Sequence, residues 1–234
     1  MRQKHHIFKQ PSGFYVLFLT ELWERFGFYT VTSLLMLFMI KYKGFSDAQA
    51  YTSFALFQAL LYITPVVGGY LADHYIGWQR TLLLGAACLA IGYILISCPY
   101  NNTFYPALAF LVIGNGFFKS MPYALLGGLY GNNKKHYDTG FTLYYLSIQI
   151  GSVIPTVLCG FLIRVMGWHW TFSLAAIGMI TGLSTFAFFK YHLKGIEGHK
   201  VPGTFGFLRV LITGVGILVA VTLADLMLQH NEIG

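Results

Sequence analysis

The stretch Glu21-Leu22-Trp23-Glu24-Arg25-Phe26-Gly27-Phe28-Tyr29 lies inside an otherwise apolar run that extends from Phe14 to Ile40. Each charged side chain near the middle of a bilayer-spanning helix costs about 2.5 to 3.5 kcal/mol on insertion scales, so such residues face a protein interior or a watery cavity. The run exceeds the roughly 20 residues that a span needs. It therefore predicts a membrane helix with a functional centre placed inside it.

The surrounding composition supports the membrane reading. Of the 234 residues, 56% are hydrophobic and 10% charged, against roughly 25% charged in an average soluble domain. An aromatic share of 18% and 26 glycines suit closely packed helices with interfacial anchors. The net charge of +7 comes from basic residues scattered over several loops, which argues for membrane orientation rather than a nucleic-acid partner. Cys88, Cys98 and Cys159 have neither metal-ligand spacing nor a paired framework and read as reduced packing residues. The first run is too long and too charged to be a cleaved signal.

Working outward, residues 1–12 form a basic amino terminus and Pro11-Ser12-Gly13 a breaker before the first helix. Ser46-Asp47 is a start signal for a second span over about 48–72. Further spans are expected at about 80–98, 105–130, 139–163 and 169–189, giving a six-helix transmembrane bundle over 13–191. A polar linker over 192–204 follows, and residues 205–234 hold a seventh apolar helix at about 206–228. Arg2, Lys4, Lys9, Arg80, Lys134, Lys135, Lys190, Lys194 and Lys200 fall in the terminus and alternate loops, with Lys41, Lys43 and Arg164 opposite. This asymmetry predicts a cytoplasmic amino terminus.

On a helix, positions 21, 25 and 29 lie one turn apart, with 24 beside them, so Glu21 approaches Arg25 and Tyr29 extends the stripe. Two carboxylates sharing one cation form a proton site, because withdrawing the Arg leaves more negative charge than a dry interior tolerates. A static ion cluster that locks helices together is the alternative. Lys119, in the fourth span among Gly114, Gly116 and Pro122, needs a partner, and Glu21 and Glu24 of the first span are the economical ones, with snorkelling to the interface as the alternative. Asp225 is a further acid near the end of the last run. Asp73 with Gly69, Gly77 and Arg80 reads as a tight turn whose charge pair opens and closes as a gate, or as a structural turn.

Enzyme readings find little support. The histidines fall in loops, termini and span ends, and neither Gly-x-Ser-x-Gly nor a phosphate-cradling loop is present. No metal or organic cofactor is expected.

The run Glu21-x-x-Glu24-Arg25-Phe26-x-x-Tyr29 resembles the signature of the proton-dependent oligopeptide transporters, a branch of the major facilitator superfamily. Similar to that branch, in order, are Tyr62-Ile63-Thr64-Pro65, Gly69-Tyr70-Leu71-Ala72-Asp73 to Arg80, Gly114-x-Gly116-Phe117-Phe118-Lys119, and Asp138-Thr139-Gly140-Phe141-Thr142-Leu143-Tyr144-Tyr145 to Gly151. The resemblance implies an integral protein of the bacterial inner membrane that carries di- and tripeptides by alternating access, with the proton as coupling ion. It implies that Glu21, Glu24, Arg25 and Lys119 couple protonation, that Arg25, Tyr29, Tyr62, Lys119 and Gln149 line the peptide site, and that Asp73 and Arg80 gate it. Thr32 stands where a second Arg often occurs, Phe28 replaces the first of two tyrosines, Ser120-Met121 replaces Pro-Asn, and Gln149 replaces an Asn. Only the amino-terminal bundle of a twelve-span family is matched, so a carboxyl-terminal half or self-association is implied as partner. A non-transporting truncated or regulatory protein, or a half for another solute such as an amino acid or nitrate, are the alternatives.

Overall fold

The computed structural model describes residues 10–131 and 134–196, with side chains described outside 134–136. The expected helix at 206–228 and the greater part of the 192–204 linker lie outside the described residues. What is described is almost wholly helical: α1 (Ser12–Lys41), α2 (Asp47–Leu71), α3 (Trp78–Ser97), α4 (Phe104–Phe118), α5 (Met121–Tyr130) and α6 (Lys134–Phe189).

Local chemistry sets the boundaries. Ser46 caps α2 through a capping box: its hydroxyl accepts from the Gln49 amide at 3.3 Å, and Gln49 Oε1 accepts from the Ser46 amide at 3.1 Å. The Ser46-Asp47 start signal is therefore where the helix begins. The carboxyl end of α2 widens into a π turn over Ala72–Ile76, closed by Gly77 at φ 88°, a value that favours glycine. The expected span at about 105–130 is interrupted between α4 and α5 at Lys119 and Ser120. Pro122 supplies the reason, because it has no N–H for the carbonyl one turn back. The stretch α6 consists of two helical limbs separated at Gly167, whose φ 78° and ψ 176° are non-helical, between the spans expected at about 139–163 and 169–189.

Packing is graded. Among the described residues, four helical stretches are long and apolar enough to cross a membrane; in the most apolar part of each, 72% of residues are buried for Asn101–Tyr130 and 56% for Trp78–Ser97, but only 17% for Asp47–Ile76 and 22% for Tyr137–Leu193. The α3 and α4–α5 stretches are thus interior, while α2 and the first limb of α6 are peripheral. Close backbone approach makes this possible. A methyl at Gly85 would lie 2.6 Å from the Phe118 amide, and one at Gly116 2.7 Å from Thr64 Cβ. α4 is held between α3 and α2.

Both ends of the bundle are tied. At one end Lys43 donates to Asn101 Oδ1 at 3.0 Å and lies over the Phe38 and Phe104 rings; burial pushes its ammonium below the ordinary lysine range. His169 there meets Tyr42 Oη at 2.7 Å and the Ser97 carbonyl at 3.1 Å. At the other end the chain leaves α6 as a short 3₁₀ turn, Lys190–Leu193, and continues across the helix ends to Ile196. Gln79 donates to the carbonyls of Leu193 and Ile196 at 2.8 and 3.3 Å, Ser12 Oγ bonds His192 Nδ1 at 2.9 Å, and Leu193 is fully buried. This strap joins the starts of α1 and α3.

Candidate functional site

The site is built on α1, the helix whose sequence carries the intramembrane charges. Glu21, Glu24 and Arg25 are all buried, at 3%, 0% and 7% exposure. Arg25 Nε lies 3.0 Å from Glu21 Oε1 and 2.5 Å from Glu24 Oε2. These are ionic contacts rather than aligned hydrogen bonds, so Arg25 Nε and both Glu24 carboxylate oxygens remain without hydrogen-bond partners. The guanidinium also stands 5.1 Å from the centre of the Phe28 ring. A cation held by two carboxylates on one side and an aromatic face on the other has little bulk water to share.

The neighbouring helices close around this centre. A methyl at Gly151 of α6 would lie 2.6 Å from the Leu22 carbonyl and 2.8 Å from Arg25 Cβ, so the first limb of α6 rests directly on α1. The second limb meets the opposite flank, with Gly178 and Gly182 against Trp23. Tyr93 of α3 and Tyr144 of α6 are buried and in electrostatic contact with the cluster, Tyr93 with Glu24 and Arg25, Tyr144 with Glu21 and Arg25. Sequence reasoning missed both as site residues. A search for charges overlooks a neutral phenol on an apolar helix, and only the fold brings these two to the cluster.

Lys119 occupies the break between α4 and α5, half-buried and within electrostatic range of Arg25, Glu24 and Glu21. The expected direct pairing with a carboxylate is not made. Among the described residues, the ion pairs are those of Arg25 with Glu21 and Glu24, and Lys119 Nζ instead lies 4.9 Å above the Tyr62 ring. The physical reason is saturation, since Arg25 already takes both carboxylates from one turn of the same helix.

Helix α2 is fastened to α4 beside this lysine. Pro65 cannot donate to the Leu61 carbonyl, and Asn115 Nδ2 fills that role at 2.9 Å. Thr64 Oγ1 reaches the Val112 carbonyl at 3.1 Å and Ser120 Oγ the Pro65 carbonyl at 3.2 Å. Tyr62 itself is 70% exposed, Tyr29 is half-buried and Gln149 exposed. The cluster is thus an enclosed charge centre adjoining an open aromatic surface.

The charge pair expected at the turn is not formed either. Asp73 and Arg80 are both exposed and form no ion pair; Asp73 Oδ1 accepts from Trp78 Nε1 at 2.7 Å. The indole sits at the start of α3, two residues closer in sequence than Arg80, and needs no long side chain to be ordered. Among the described residues, no group of three or more His, Cys, Asp or Glu is placed to hold a metal ion.

Comparison with known proteins extends this picture. The family model described as the POT family matches residues 79–224. Dipeptide and tripeptide permease A of Salmonella typhi is 36% identical over 228 residues, covering 97% of this chain and 46% of the relative. The Escherichia coli K12 permease of the same description is 34% identical, with the same coverage. The fold resembles that of tetrameric PepTSo2, with a TM-score of 0.86 at 28% identity over 94% of this chain and 49% of that one. A bacterial homologue of the human drug peptide transporters PepT1 and PepT2 gives a TM-score of 0.83 at 29% identity. The chain spans about half the length of the curated relatives it matches.

Proposed function

Since the chain belongs to the POT family, as an integral membrane protein built of long apolar helices, we propose that it forms one half of a proton-coupled carrier of di- and tripeptides. The observation that carries this reading is the enclosed Glu21–Glu24–Arg25 centre beside Lys119, which adjoins the open face bearing Tyr62. With Arg25 neutralised by two carboxylates, protonating one of them leaves the guanidinium less tightly held. It can then turn, with Lys119, toward an anion in the open face, and the carboxylate of a peptide is such an anion. Returning the proton restores the pair and releases the anion. Coupling thus requires competition for the same cation, which a static ion cluster lacks.

A second bundle supplies the opposite wall of the cavity, either a carboxyl-terminal half or another copy of the chain. The distribution of Lys and Arg supports a cytoplasmic amino terminus, which places the Asp73–Trp78 turn on the cytoplasmic side; a phosphatase fusion at Asn101 should then be active outside. Uptake of labelled dipeptide into vesicles under an inward proton gradient is the direct experiment. Uptake is expected when the chain is co-expressed with the carboxyl-terminal half of a permease relative, and loss of at least tenfold on Glu24→Gln. Accumulation indifferent to the gradient, or absent with every second bundle offered, sinks the proposal in favour of a non-transporting protein.

A further inference from the structure

Buried polar groups are nearly always hydrogen-bonded, so those that are not call for a physical explanation. Two buried polar groups flank the contact of α1 and α3 within electrostatic range of one another: the Glu24 carboxylate, whose ionic partner is Arg25, and the Tyr93 hydroxyl, which has no hydrogen-bond partner. They are brought together by Gly27, one turn beyond Glu24. A methyl there would lie 2.9 Å from Tyr93 Cε2 and 3.1 Å from Cζ, so the missing side chain admits the phenol ring against α1. Tyr93 and Glu24 are in electrostatic contact.

A phenylalanine would fill the same space with no unpaired hydroxyl, whose burial is costly. The hydroxyl therefore has a use that packing does not supply. We infer that Tyr93 is a positioning residue of the proton site, the α3 donor that holds the Glu24 carboxylate when Arg25 swings away. With Glu24 ionised, Tyr93 Oη–H donates to a carboxylate oxygen; with Glu24 protonated, the carboxyl O–H donates to Oη and the tyrosine keeps its own proton. No charge moves onto the ring.

The inference rests on the proton coupling proposed above, and Tyr93 acts among other groups facing Glu24. These are Glu21 and Arg25 on α1, Lys119 between α4 and α5, and Tyr123 on α5. Tyr144 on α6 stands on the Glu21 side of the cluster. Tyr93 is the neutral donor on the α3 side.

The test reads the carboxyl rather than transport. The full chain is reconstituted in liposomes and titrated by infrared spectroscopy, with Glu24→Gln identifying the Glu24 carboxyl band. The hydrogen bond that Tyr93 donates to the ionised carboxylate outweighs the one it accepts from the neutral carboxyl by about one pH unit. Tyr93→Phe should therefore raise the midpoint of that band by about this amount. Gly27→Ala, which keeps the hydroxyl but pushes the ring off α1, should displace it too, and decides the matter if Tyr93→Phe does not fold. Midpoints unchanged in the folded variants, or no band lost in Glu24→Gln, overturn the inference. A displaced midpoint in a chain that supports no peptide uptake with any second bundle leaves Tyr93 in its role and removes the transport reading; uptake with an unmoved midpoint does the reverse.

Discussion

Arg25 is the residue on which the charge centre depends. Removing one member of a buried ion cluster leaves uncompensated charge and costs about 3–5 kcal/mol, whereas replacing the whole cluster by neutral groups of similar volume is often close to neutral. Arg25→Met should therefore destabilise the chain strongly in detergent unfolding, and the triple variant Glu21→Gln, Glu24→Gln, Arg25→Met should recover most of that loss. A triple variant no more stable than Arg25→Met would show that the cluster holds the helices together by itself. The position of these three residues in one helix was legible in the sequence, because charges in an apolar run announce themselves. Their pairing was legible only in part. Helical spacing gives Arg25 shared by Glu21 and Glu24, but that Lys119 is left to Tyr62 depends on where α4 breaks. Tyr93 and Tyr144 were beyond reach, since what marks them is a neighbour on another helix.

At the scale of the elements, α2 and α4 are joined by an exchange of hydrogen bonds around Pro65. The Leu61 carbonyl that the proline leaves free is taken by Asn115. Asn115→Ala should cost about 1–3 kcal/mol by orphaning that carbonyl. Pro65→Ala restores a backbone N–H one turn away, so Asn115→Ala should cost much less in the Pro65→Ala background, a coupling that a double-mutant cycle reads directly. Glycine positions divide sharply in the same region. Gly68 abuts the Gly116 backbone, so Gly68→Ala forces α2 and α4 apart and should lose about 1–3 kcal/mol. Gly127 meets nothing within 4 Å of its added methyl and should accept alanine without loss. Helix limits at Ser46 and Gly77 followed from capping and turn chemistry. The break at Gly167 lies in the gap between the spans expected at about 139–163 and 169–189, but the positive φ that makes it is not visible in the residue's identity alone.

Across the whole molecule, burial is one-sided. Tyr62, Val66, Val157 and Phe161 are 64% or more exposed, on α2 and the first limb of α6, which carry the apolar surface unused by the bundle. If a second bundle covers them, Val66→Cys should react with a lipid-soluble maleimide in the chain alone and be protected on co-expression, while Ile91→Cys on α3 should react equally in both. Equal labelling of Val66→Cys would place the partner elsewhere. The strap from Lys190 to Ile196 bears on the same assembly. Gln79, Ser12 and the buried Leu193 fix these seven residues to the starts of α1 and α3, so they contribute nothing to slack. A free segment of that length would extend about 25 Å. The chain thus reaches Ile196 at a point set by helix packing, which fixes where any segment joined to it starts.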